Sequence, residues 1–239
     1  MDRGEVMAPK RVWLANAGGF VLLLTAVYWW LAIPERRAWQ LGLSAASGLV
    51  ILFAAAWLCA ATFRAFSGGG ARFGSGAVGR TPAVIACLLA AVVLLALFGY
   101  VEALFPKWSV WVASTITYRL RKPVKPETVL RIFHAFGWVV CWVVVPVLAL
   151  PRAAAASLAG FRGLLAARPH RRFFFDYLLA FLAGVWLPAL LINWAPSFDS
   201  FFVQAASFVV RFAVALALAV TAWLWTAWAA VNAVKPADS

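Results

Sequence analysis

Four side chains that can pair, hold an anion or carry a proton stand near the ends of otherwise apolar segments: Glu102, Arg131, His134 and Arg211. A carboxylate, an imidazole and two guanidinium groups are a workable set for gripping the headgroup of an anionic amphiphile. Ionisable groups within a bilayer are costly, so each calls for a partner, a water-filled cavity or a path to the headgroups. The sequence predicts an outer polar cluster of these four, with Glu102 and Arg211 as the first pair to test. The alternative is that Arg211 snorkels to the headgroups and Ser200–Val210 is a lead-in helix before the true span. Asp199 falls in the same outer third, and Arg211 follows it by about 18 Å of helix.

A second group is basic. Ala154, Leu158, Phe161 and Leu165 recur at helical spacing, while Arg162, Arg168, Arg171 and Arg172, with His170, supply positive charge. Arg152–Arg172 is therefore expected to be an amphipathic interfacial helix at the inner face. Its arginines would contact anionic lipid, at about 1 kcal/mol per basic residue near the surface. Asp176 follows these arginines, where an acidic residue complements a helix N-terminus.

Catalytic constellations do not emerge from the residue types. There is no HExxH, no nucleophile elbow, no inward Asp/Glu pair and no Cys/His nucleophilic constellation. Gly74-Ser75-Gly76-Ala77-Val78-Gly79 matches G-x-G-x-x-G, but it follows a hydrophobic run and lacks the strand and acidic partner of a dinucleotide fold. It reads as a flexible linker. Cys59, Cys87 and Cys141 lie inside apolar runs without CxxC spacing and read as packing residues. No catalytic, metal or cofactor-binding residue is assigned, and no cofactor is expected.

The elements that carry these groups follow from composition. Of 239 residues 65% are hydrophobic and 12% charged, with 21 Lys and Arg against 8 Asp and Glu. Soluble domains carry about twice that share of charge. Six stretches contain no Asp, Glu, Lys or Arg: Val12–Pro34, Ala38–Phe63, Thr81–Val101, Ile132–Pro151, Tyr177–Phe198 and Phe212–Val234. Each holds the roughly 20 residues that cross a hydrocarbon core as a helix. The fold class is an all-α membrane protein, a six-transmembrane-helix bundle. It forms one polytopic domain over residues 1–239, with spans near 12–34, 38–63, 81–101, 132–151, 177–198 and 207–234. No intervening piece is long enough for a soluble domain.

With the N-terminus inside, the cytoplasmic pieces carry twelve Lys and Arg and the outer pieces eight, Arg211 aside. Both termini are then cytoplasmic and the protein sits in a cytoplasmic membrane. An excess of Arg over Lys in an Ala-rich chain points to a GC-rich bacterium. Lys107–Arg131 is the discordant piece, six basic residues on the outer side. Trp108, Trp111, Val112 and Thr115 share a helical face there. Ile116, Tyr118 and Leu120 alternate as in a strand, and Lys122-Pro123-Val124-Lys125-Pro126 reads as a stiff extended strap. The whole is an outer Trp-rich interfacial segment. On the second span, Gly42/Ala46 and Ser44/Gly48 mark a close-packing face, internal or between protomers.

Three functions fit these residues. The first is a non-catalytic accessory or scaffold protein whose partners are membrane lipids, a membrane protein or a second copy. The second is a small transporter or lipid-handling protein that binds an anionic amphiphile at the outer cluster. The third is a membrane-embedded enzyme acting on lipid, with His134 or Asp176 as acid or base. Nucleic acid is excluded, because the basic residues lie in short loops between spans.

Overall fold

Runs of Leu, Ala, Val, Phe and Trp become helices in lipid because a helix bonds its own N–H and C=O groups. The computed structural model describes residues 9–34, 37–67, 73–74, 76–166, 171–194, 196 and 200–234. Its helices are α1 (Pro9–Leu31), α2 (Ala38–Phe66), α3 (Thr81–Glu102), α4 (Phe105–Leu120), α5 (Pro126–Ala159), α6 (Phe161–Ala166), α7 (Arg171–Asn193) and α8 (Phe201–Val234). Six of them, α1, α2, α3, α5, α7 and α8, are long and apolar enough to cross a membrane, and the described residues contain no strand. The chain is an all-α multi-pass membrane protein.

Prolines set several boundaries. Pro126 opens α5 after an extended Lys125, and Pro106 sits in the first turn of α4, where a missing N–H removes no helical bond. Two interior prolines leave a matching mark. Each of the wide π-turns Val140–Val144 and Leu182–Trp186 ends two residues before a proline, Pro146 and Pro188. A proline in a helix removes one donor and its ring presses on the carbonyl four residues back. The chain answers with a wider turn, in which Val145 N–H bonds to Val140 O and Leu187 N–H to Leu182 O.

Contacts divide the chain into two units, one built from residues up to Ala86 and from Leu150 onward, the other from Cys87–Ala149. In the first, the buried positions are mostly small: Ala56, Ala60 and Ala61 on α2, Ala153–Ser157 at the end of α5, and Ala222, Ala227, Ala229 and Ala230 on α8. Large apolar residues such as Leu22, Tyr28, Leu31 and Val50 point outward. Small residues inside and bulky ones outside suit helices that pack closely while lipid solvates their outer faces. The Ser44/Gly48 face is internal to this unit: Trp30 Nε1 donates to Ser44 O at 2.8 Å and its ring lies over Gly48.

In the second unit, α3 and α5 run antiparallel. Cys87 Sγ donates to Ala149 O, and Phe98 packs on Gly137, about eleven residues along each helix. A 34-residue α5 spans about 51 Å, well beyond a hydrocarbon core of roughly 30 Å.

Three expectations change in detail. Ile116, Tyr118 and Leu120 belong to α4 and not to a strand-like piece; their backbone completes a helix whose buried face is Phe105, Ser109 and Ala113. Arg152–Arg172 is not one interfacial helix. Its first turns continue α5, Gly160 ends them at φ 67°, and only Phe161–Ala166 forms a separate short helix. Gly160 is the residue type that adopts this left-handed conformation without a Cβ clash, and the Arg80 guanidinium lies against it. Ser200–Val210 does not form a separate lead-in helix: Phe201–Val210 is continuous with α8, and α8 extends the sixth span to 34 residues.

Candidate functional site

The site grows from the end of α3. Glu102 is its last residue, where a carboxylate faces the unfavourable end of the helix dipole. Across from it, His134 on α5 places Nδ1 3.0 Å from Glu102 Oε1. The contact is an ion pair when the imidazole is protonated and a hydrogen bond donated by Nδ1–H when it is neutral. The two side chains are 52% and 39% exposed, so water shares the pair.

An aromatic seam holds the pair in place. Phe105, 4% exposed, meets Phe98, Trp108, Phe133 and the His134 ring with centroids 5.2–6.2 Å apart. Gly137 makes room for it, since a Cβ there would stand 3.3 Å from Phe98. Ser109 and Ala113 continue the buried face of α4, and Val129 lies buried on α5. At the far end Thr117 Oγ1 accepts from Val124 N–H at 3.0 Å and closes the Lys122–Lys125 strap. Arg121 takes the left-handed conformation, φ 54°, to end α4. The result is a hairpin of α4 and the start of α5.

Its outer surface is basic and aromatic. Lys107, Arg119, Arg121, Lys122, Lys125 and Arg131 are all exposed. Between them stand Trp111, 70% exposed, and Tyr118, 87% exposed, seven residues apart on one side of α4.

Of the four predicted cluster residues, the structure joins Glu102 to His134 and leaves Arg131 on the exposed side of α5 three residues earlier. Arg211 is satisfied on its own unit. Its Nε donates to Ser207 O at 3.2 Å and a terminal nitrogen donates to Leu191 O at 3.4 Å. Leu191 lies in the last turn of α7, whose final carbonyls lack helical partners, so Arg211 caps that helix. Among the predicted lipid contacts, Arg162, Arg171 and Arg172 are exposed, while Arg168 lies outside the described residues, as do His170 and Asp199.

One polar centre was not legible as a site. Asn16, fully buried on α1, accepts at Oδ1 from Thr62 Oγ1 of α2 at 2.9 Å and from Trp223 Nε1 of α8 at 3.1 Å. Its Nδ2 donates to Val12 O. The available signal was a lone Asn inside the first uncharged run, since polar side chains at that depth bond across helices. Among the described residues, no three His, Cys, Asp or Glu side chains come together as a metal site would require. No family model, no curated protein and no solved structure matches the chain.

Proposed function

We propose that the protein is a non-catalytic membrane scaffold whose α4–α5 hairpin docks an acidic surface of a membrane protein partner. The observation that carries this reading is the exposed Trp111–Tyr118 stripe framed by Lys and Arg on a hairpin with a packed aromatic seam. Tryptophan, tyrosine and arginine are enriched among the few residues that dominate binding energy in protein interfaces, and a pre-ordered surface loses little entropy on docking. The basic frame steers an acidic partner to it. In this reading the hairpin is on the outer side of a bacterial cytoplasmic membrane and both termini are cytoplasmic. The margin of Lys and Arg between the two sides supports that orientation.

The test is site-specific photo-crosslinking in native membranes from a reactive side chain at Trp111 or Tyr118. A discrete protein adduct is expected, and charge reversal by Lys122→Glu with Lys125→Glu removes it. Adducts to lipid alone, or a protein adduct indifferent to the reversal, contradict the reading.

A further inference from the structure

The first unit holds a second feature, separate from the hairpin. Between α1, the end of α2 and α8 lies a groove of about 760 Å³, lined by Trp13, Leu14, Phe66, Leu224, Trp225 and Trp228. Its walls are apolar apart from two residues. Thr221 is taken up by Trp13, whose Nε1 donates to its hydroxyl at 3.2 Å. Lys10, exposed at the start of α1, is the one charged residue in the lining.

The two ends differ in chemistry. Lys10 precedes Trp13 and Leu14 by one helical turn, and Trp228 follows Thr221 by two turns near the end of α8. The ammonium, Phe66 and Trp228 therefore belong to the terminal end of three membrane-spanning helices, whereas Thr221 lies deeper. Indole-bearing residues favour the headgroup level, and a lysine there faces phosphate. The groove is open along one side, so it offers an apolar bed for a chain that lies along it while the other side faces lipid.

From this geometry we infer that the groove holds an acyl chain of an anionic phospholipid, with the headgroup phosphate against Lys10. The choice of occupant rests on charge complementarity at one end and on dry walls at the other. A zwitterionic lipid carries its own ammonium group beside the phosphate and gains less from Lys10. A second copy of the chain would have to bring a carboxylate to the same end of the groove.

The full chain in nanodiscs of equal parts phosphatidylglycerol and phosphatidylcholine, released into a mass spectrometer, tests this directly. The wild type is expected to retain phosphatidylglycerol over phosphatidylcholine. Lys10→Gln, a change at an exposed side chain, lowers that ratio by about fivefold, the factor that one near-surface basic residue supplies, and Lys107→Gln, outside the groove, lowers it less. Leu224→Trp, which fills the groove, lowers retention of both lipids. An unchanged ratio in Lys10→Gln overturns the proposal. So does a wild type that leaves the nanodisc without lipid, or one that leaves only as a dimer.

Discussion

His134 and Glu102, 32 residues apart in sequence, meet at 3.0 Å where α3 ends, and their contact lies beside the buried Phe105 ring. It joins the helix that leads into the hairpin to the helix that leaves it. An acidic helix end is thereby relieved by a side chain from its antiparallel neighbour.

The strength of this link is measurable. At 52% and 39% exposure it belongs with surface pairs, for which coupling of about 0.2–1 kcal/mol is ordinary. A double-mutant cycle of Glu102→Gln and His134→Gln in thermal unfolding should return coupling in that range, shrinking as salt rises. Zero coupling at low salt would leave the aromatic seam alone to hold the hairpin.

Asn16 should matter more than either partner that donates to it. Asn16→Leu strands the part-buried indole N–H of Trp223, while Thr62 keeps its bond to Leu58 O; Thr62→Val leaves Asn16 bonded to Trp223. Bonds of this kind between membrane helices average about 0.6 kcal/mol and reach about 1.7. Detergent-unfolding midpoints should therefore place Asn16→Leu below Thr62→Val. The reverse order would mean that the network is not shared between the three helices.

Gly184 sits in the π-turn of α7, and a Cβ there would stand 2.4 Å from Ala222 Cβ of α8. An alanine side chain cannot swing away, so Gly184→Ala should destabilise by about 1–3 kcal/mol, as overpacking does. Ala222→Gly in the same chain should restore most of the loss. Failure of that rescue would place the strain elsewhere in the turn.

Arg211 acts on α7 through carbonyl oxygens, so its charge and its reach are both used. Arg211→Met should lower stability by about 0.5–1 kcal/mol, the scale of a cation at a helix C-terminus. Arg211→Lys, which lacks the fork that spans Ser207 O and Leu191 O, should recover only part of it. Full recovery by lysine would reduce the role of Arg211 to charge alone.

What the sequence could reveal depended on the range of the force involved. Runs without charge locate the spans, because the energy of removing charge from lipid is local to each segment. The extended Lys122–Lys125 strap was equally legible, since each proline acts on its own neighbour. Partner choice was not. Glu102 and Arg211 look complementary by charge and depth, yet the observed partners are His134 and two backbone carbonyls, which only the packing of Phe105 and the end of α7 select. The strand-like alternation at Ile116–Leu120 misled for the same reason. Two-residue periodicity in so short a stretch is outweighed by the continuous face that Phe105, Ser109 and Ala113 bury against α5. The π-turns leave a proline as their trace in the sequence, but a proline alone does not say whether the helix kinks, widens or stops.

A docking surface on the α4–α5 hairpin must be reachable from water, one membrane crossing away from the segment before α3. The most direct test introduces single cysteines at Tyr118 and at Gly79 in a chain whose Cys59, Cys87 and Cys141 are replaced by alanine. Tyr118 is 87% exposed, and a side chain at Gly79 meets open space. A membrane-impermeant maleimide should label Tyr118→Cys from one face of sealed vesicles and Gly79→Cys only from the other. Labelling of both from the same face, or a Tyr118→Cys that stays unreactive until detergent is added, would contradict the account.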